Sequence, residues 1–224
     1  MKSKGGLVLL NKSFSRRVGK GLSSSQKELL EFELPKFLLN EASLLANMKE
    51  YEEIIIEIGF GMGEHFINQI SLNPKILYIG AEPYLNGIAN TLKLARMNNL
   101  SNFLIWPDDL DIVLDIIPKK VINGIYLLFP DPWPKRNQSK RRILNQERLS
   151  MLKSKLIKNG FFIFASDVQE YFEAAKNLII SDSSLRLSND DFLEPHEGYI
   201  TTKYHRKAII ENRIARFFKS NLIE

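Results

Sequence analysis

Between Ile54 and Ser181 short apolar runs alternate with stretches of helical spacing, and no other feature restricts the fold as much. The runs are Ile54–Ile58, Leu77–Glu82, Phe103–Trp106, Gly124–Phe129 and Phe161–Ser166. Each is nearly continuous in apolar residues, the pattern of a strand covered on both faces and therefore paired in parallel. Parallel neighbours need a crossover between them. The helical stretches supply it: one from about Glu64, then Leu85–Asn98, Leu110–Ile116, Asn145–Lys158 and about Val168–Ser181. The chain is thus predicted to be α/β, a mostly parallel sheet with helices on both faces.

The flanks are less regular. Residues 1–26 place Lys2, Lys4, Lys12, Arg16, Arg17 and Lys20 among Gly and Ser without a sustained period, and read as a flexible basic arm. A single domain is expected over 27–224, opening with one or two short helices interrupted at Pro35. Beyond the last helix Arg186–Tyr199 reads as loop, Thr201–Asn212 fits no one pattern, and Ile214–Phe218 suggests a late, antiparallel edge strand.

Composition narrows the partners. A net charge of +5 favours a polyanion without identifying one. With no cysteine, disulfides and thiolate metal sites are impossible, and His65, His196 and His205 lack metal-ligand spacing, so a metal-independent protein is expected. The apolar stretch Gly6–Leu10 is too short for a signal-peptide core, and nothing approaches the ~20 apolar residues of a membrane span. No membrane partner and a cytoplasmic location are expected. Oligomeric state, monomer or homodimer, is not written in the sequence.

The chemistry gathers where the strands end. Glu57-Ile-Gly59-Phe-Gly61-Met-Gly63 joins the first strand to its helix, where glycines let backbone turn tightly beside a nucleotide. Its spacing is G-x-G-x-G rather than the G-x-G-x-x-G of a pyrophosphate site, and Glu57 and Glu64 flank it. Two carboxylates would repel a pyrophosphate and suit a ligand bearing ammonium and sulfonium charges, as S-adenosylmethionine does. Glu82 ends the second strand, where an acid can accept hydrogen bonds from ribose hydroxyls. Trp106-Pro107-Asp108-Asp109 ends the third and offers either a carboxylate to an adenine amine or a helix cap.

Phe129-Pro130-Asp131-Pro132-Trp133-Pro134-Lys135 follows the fourth strand. Its three prolines fix the backbone around an acid and an aromatic, the display expected of a substrate site. The run from Lys135 to Arg142 carries five cations in eight residues, matching RNA phosphates better than a solvated face. Asp167, after the fifth strand, serves either a substrate base or a cap. Lys203-Tyr204-His205-Arg206-Lys207 mixes cations with an aromatic ring, suited to phosphate neutralisation and base stacking or to an exposed basic turn. His65 reads as a packing or capping residue.

These residues resemble the bacterial tRNA (guanine-N7)-methyltransferases, with hallmarks E-I-G-F-G-M-G and F-F-P-D-P-W before a basic K-R-R stretch. The first is intact at Glu57–Gly63, Leu128–Trp133 with Lys140-Arg141-Arg142 closely matches the second, and Ser13–Gly19 follows the family's S-F-x-R-R-x-G-like segment. The resemblance implies a Rossmann-like class I methyltransferase fold with a seven-stranded sheet. It implies S-adenosylmethionine as cofactor, tRNA as partner, and methylation of guanine 46 in the variable loop. By the same resemblance cofactor contacts fall on Glu57, Gly59, Gly61, Gly63, Glu82, Asp108 and Asp131, and substrate contacts on Lys135, Asp167, Thr202, Lys203, Tyr204 and His205. Where the family usually has Glu, this chain has His205. Guanine N7 is an uncharged acceptor and needs no strong base, so Asp131 is expected to act by holding the base or by stabilising positive charge on it.

Overall fold

The computed structural model describes residues 17–19, 21–133, 136–192, 195–196 and 198–223. Helix α1 (Ser24–Glu28) runs through a π-helical turn (Leu29–Glu33) into α2 (Leu34–Phe37), which has Pro35 in its first turn, where a missing N–H costs nothing. Helix α3 (Glu41–Asn47) is closed at its start by a capping box between Asn40 and Ser43. Then follow β1 (Glu53–Ile58), α4 (Glu64–Leu72), β2 (Ile76–Ala81), α5 (Leu85–Met97), β3 (Phe103–Trp106), α6 (Leu110–Ile116) and β4 (Ile122–Leu128). The chain ends with α7 (Gln146–Lys155), β5 (Leu156–Ser166), α8 (Gln169–Ile180), β6 (Leu185–Phe192), α9 (Lys203–Ile210) and β7 (Arg216–Leu222).

The seven strands lie in the order β3-β2-β1-β4-β5-β7-β6, parallel except for β7, which is antiparallel to both neighbours. The expected mostly parallel seven-stranded sheet with helices on both faces is therefore present. Alternation along β1 feeds both layers: Ile54, Ile56 and Ile58 join Leu114 of α6, Leu152 of α7 and Phe172 of α8, while Ile55 joins Phe66 of α4 and Leu92 of α5 on the other face. Register levels the strand ends, with Ala81 beside both Ile58 and Trp106, Ile58 beside Leu127, and Leu128 beside Ala165. β2 and β3 lie on one side of β1, and the crossover from β3 puts β4 on the other, making β1 and β4 the switch point at which open α/β sheets hold ligands.

Four expectations need correction. Leu185–Phe192 is a strand, not loop: Arg186 and Ser188 fit an outer strand, and register shifts at Asn189 break its alternation. That places β7 between β5 and β6, so it is an interior strand, consistent with the burial of Phe217 and Phe218. The helix expected to reach Lys158 stops at Lys155, because Leu156 already pairs with Ile122 in the sheet. The expected arm is structured before residue 26, since Ser23 caps a helix that starts at Ser24. Residues 1–16 and Lys20 lie outside the described residues. Among the described residues no helix is long and apolar enough to cross a membrane, and no cluster of His, Asp and Glu could hold a metal ion.

Candidate active site

A cleft of about 360 Å³ opens at the level strand ends, lined by Gly59 and Gly61, by Glu82, Asp108 and Asp131, and by Tyr204. This volume lies in the range of small-molecule sites. Left-handed backbone at Gly59, Gly61 and Gly63 turns the loop after β1, and at Gly59 the space a Cβ would enter is open. At Gly63, φ is +79° and a Cβ would lie 2.0 Å from Thr91 Oγ1 of α5. Gly63→Ala is therefore expected to lose roughly 3 kcal/mol of stability from strain plus overpacking. Calorimetry should show a melting temperature about 6–12 °C lower.

Glu82 organises the loop. One carboxylate oxygen accepts from Gly61 N–H at 2.7 Å and the other from Tyr84 N–H at 2.8 Å. Burial pushes its carboxyl up to about 7, opposed by those two hydrogen bonds and reinforced by Asp131 and Glu57. The two acids after β3 divide the roles that the sequence left open. Asp109 caps α6 through Asp111 N–H, and Asp108 stays at the cleft, accepting from Asp109 N–H and paired with Arg17. Arg17 Nη1 lies 3.3 Å from Asp108 Oδ1, and the backbone there is fixed by Leu85 N–H to Arg17 O and by Gly19 N–H to Asn86. The arm's last residues thus reach the cleft, and the only sequence sign of it is the Ser13–Gly19 segment.

After β4 the backbone is left-handed at Phe129 (φ 52°) and Trp133 (φ 41°), flanking Asp131. Such conformations in large residues persist only where the surroundings impose them, and they collect at functional sites. Asp131 stands at the cleft mouth with its carboxyl raised above the ordinary value by partial burial. The basic run that follows does not act as one unit. Arg142 is buried, donates to Pro132 O at 2.8 Å and to Glu170 at 3.0 Å, and packs over Tyr171, so it braces the loop and cannot grip RNA. Arg141 lies over Trp133, 5.0 Å from the ring centroid, and both line the cleft. Lys135 lies outside the described residues.

The remaining candidates divide. Lys203 and Tyr204 line the cleft, with the Tyr204 ring beside Gly61. Thr202 caps α9 through His205 N–H. His205 stacks on Phe129 and bonds Tyr199 Oη at 3.0 Å. Asp167 does not cap α8 and instead pairs with Arg213 at 2.7 Å. The two acids expected to flank a charged ligand both turn elsewhere. Glu64 accepts from Lys203 N–H and pairs with Arg206. Glu57 is buried beneath the loop, not among the residues lining the cleft, and accepts from His65 Nδ1 at 2.8 Å. His65 in turn meets His196 Nε2 at 3.0 Å. The sequence missed this chain, since its members are brought together from positions 131 residues apart. The carboxylates that face the cleft are Glu82, Asp108, Asp109 and Asp131.

A family model described as "Putative methyltransferase" matches residues 51–216. A bifunctional methyltransferase of Rickettsia felis is 52% identical over 94% of this chain, but the match covers 40% of that protein, so the chain spans well under half the length of such relatives. A tRNA (guanine-N(7)-)-methyltransferase of Wolbachia pipientis wMel is 37% identical over 94% of this chain and 92% of its own length. Among solved structures, a 16S rRNA (adenine(1408)-N(1))-methyltransferase from Catenulisporales acidiphilia with its cosubstrate SAM superposes with a TM-score of 0.63 at 14% identity, over 83% of this chain and 92% of that one. At that identity the likeness is one of fold.

Proposed function

The chain belongs to the tRNA (guanine-N7)-methyltransferase family, and on that premise we propose that it binds S-adenosylmethionine in the cleft and methylates N7 of a guanine in tRNA, guanine 46 of the variable loop. The observation that carries the reading is the convergence of Glu82, Asp108 and Asp131, from the ends of β2, β3 and β4, on one cleft beside the glycine loop that follows β1. The residues fit the cofactor. Gly59 leaves open space where a side chain would stand, Glu82 keeps free lone pairs for ribose hydroxyls, and Asp108 is held to receive an adenine amine. When bound, the cofactor supplies an electrophilic methyl group on a sulfonium. Glu57 serves the cofactor by holding the loop from below through His65 rather than by contact.

Substrate falls to the opposite wall. Asp131, between left-handed Phe129 and Trp133, accepts the N1 and amino hydrogens of the guanine or balances positive charge growing on the purine. Trp133 and Arg141 offer a stacked surface beside it, and Lys203 and Tyr204 close the far side. His205 and Asp167 contribute by fixing α9 and the chain before β7, through Tyr199 and Arg213. Lys135, Lys140 and the basic residues before Arg17 neutralise tRNA phosphates. Labelled S-adenosylmethionine offered with unmodified tRNA, a ribosomal RNA fragment and a protein mixture tests this reading. Label is expected in tRNA alone; label in either competitor and none in tRNA would defeat it.

A further inference from the structure

Helix α4 starts where the glycine loop ends, and one polar face of it holds the segment that leads to Tyr204. Glu64 accepts from Lys203 N–H, Asn68 and Gln69 both donate to Gly198 O at 2.6 and 2.8 Å, and His65 Nε2 meets His196 Nε2 at 3.0 Å. Positions 64, 65, 68 and 69 share one side of a helix. Three of these joints keep their donors and acceptors at any moderate pH. The histidine pair does not share that indifference, because an imidazole can take up a second proton, whose charge a buried setting opposes.

We propose that His65 and His196 are positioning residues forming a proton-dependent joint that keeps residues 198–206 docked on α4 beside the cofactor loop, and that acidification undocks this segment. The inference deepens the tRNA reading above and rests on it only for the RNA contact of the segment. Glu57 from β1 fixes the His65 tautomer, with Nδ1–H on the carboxylate, so Nε2 is the acceptor and His196 donates. Around His196 stand Tyr126 from β4, stacked at 4.9 Å, Tyr199 from its own segment, and Lys219 from β7. Its Nδ1 is buried without a hydrogen-bond partner. A proton added there would be desolvated and would face His65 and Lys219.

The sign follows from these surroundings. Burial first, then His65 and Lys219, push docked His196 down to about 3, below the ordinary 6.5 of a released histidine. Docking is therefore undisturbed well above 6.5, and the undocked population rises about fivefold over the first pH unit below 6.5 and about tenfold over the next.

Hydrogen exchange at the Tyr199 and Lys203 amides, corrected for intrinsic chemistry, reads that population. In the intact protein exchange is expected to quicken about fivefold between pH 6.5 and 5.5. In His196→Gln it should stay flat, because the amide can still donate to His65 Nε2 and takes up no proton itself. Equal pH responses in the two proteins would overturn the joint. His196→Leu removes the bond at every pH; at pH 7.5 it should weaken tRNA binding roughly tenfold and S-adenosylmethionine binding much less. tRNA affinity equal to the parent's would overturn the link to RNA. Failure of every form to bind tRNA would instead defeat the tRNA reading, and the exchange comparison would still decide the joint.

Discussion

Glu82→Ala is expected to weaken S-adenosylmethionine binding at least about a hundredfold, ~2.7 kcal/mol, measured by titration calorimetry. Two losses coincide. Gly61 and Tyr84 N–H lose their acceptor, at roughly 1–3 kcal/mol for each buried donor left unpaired, and the ribose loses its partner. Relief of a desolvated carboxylate offsets part of the first loss in the free protein and none of the second. Affinity close to the parent's would remove Glu82 from the cofactor site.

The same residue sets a pH dependence. Its carboxyl titrates at about 7 in the fold against an ordinary 4.5, so between those values the folded chain binds more protons than the unfolded one. Its contribution to stability is present below about 4.5 and is lost as pH rises towards 7, by roughly 3 kcal/mol. Comparison with Glu82→Gln isolates this group, since the variant should lack that component of the decline. Hydroxyl donors from a ligand favour the ionised form. Cofactor affinity should accordingly rise with pH through about 7, and in Glu82→Gln it should not.

Asp131→Ala should lower turnover by roughly a hundred- to a thousandfold, the scale on which one electrostatic contact to a reacting group acts. Cofactor affinity should change much less, because Asp131 stands at the cleft mouth while Glu82 and Asp108 hold the interior. Asp131→Asn separates its two roles. Loss equal to that of Ala points to charge, and partial recovery points to the hydrogen bond to the base. Turnover equal to the parent's in Asp131→Ala would take this residue out of the reaction. Arg142→Ala offers a contrast, since it should lower stability through the brace to Pro132 and Glu170 without changing the salt dependence of RNA binding.

The sheet from β1 to α8 was readable because its strands are buried on both faces, so one short apolar run marks each. Strand β6 was not, because an outer strand carrying Arg186, Ser188 and Asn189 and broken in register has the composition of a loop. The position of β7 depends on which strand lies outside it, and no local pattern encodes that. In the site, Glu82, Asp108 and Asp131 were legible because each sits within three residues of a strand end. Glu57 and Glu64 occupy equally suggestive steps, yet their partners, His65 with His196 and Lys203 with Arg206, are decided by how the chain returns over α4. Arg142 likewise reads as a surface cation until Tyr171 and Glu170 are seen around it.

Methylation at N7 of a tRNA guanine, directed by this cleft, is tested most directly by mapping the product. Unmodified tRNA treated with the protein and S-adenosylmethionine should undergo reduction-induced strand cleavage at N7-methylguanosine, at guanine 46 alone, and Asp131→Ala should leave the same RNA intact. Methylation at another guanine, at another atom or on another base, in RNA that the intact protein has demonstrably labelled, would rule out this specificity.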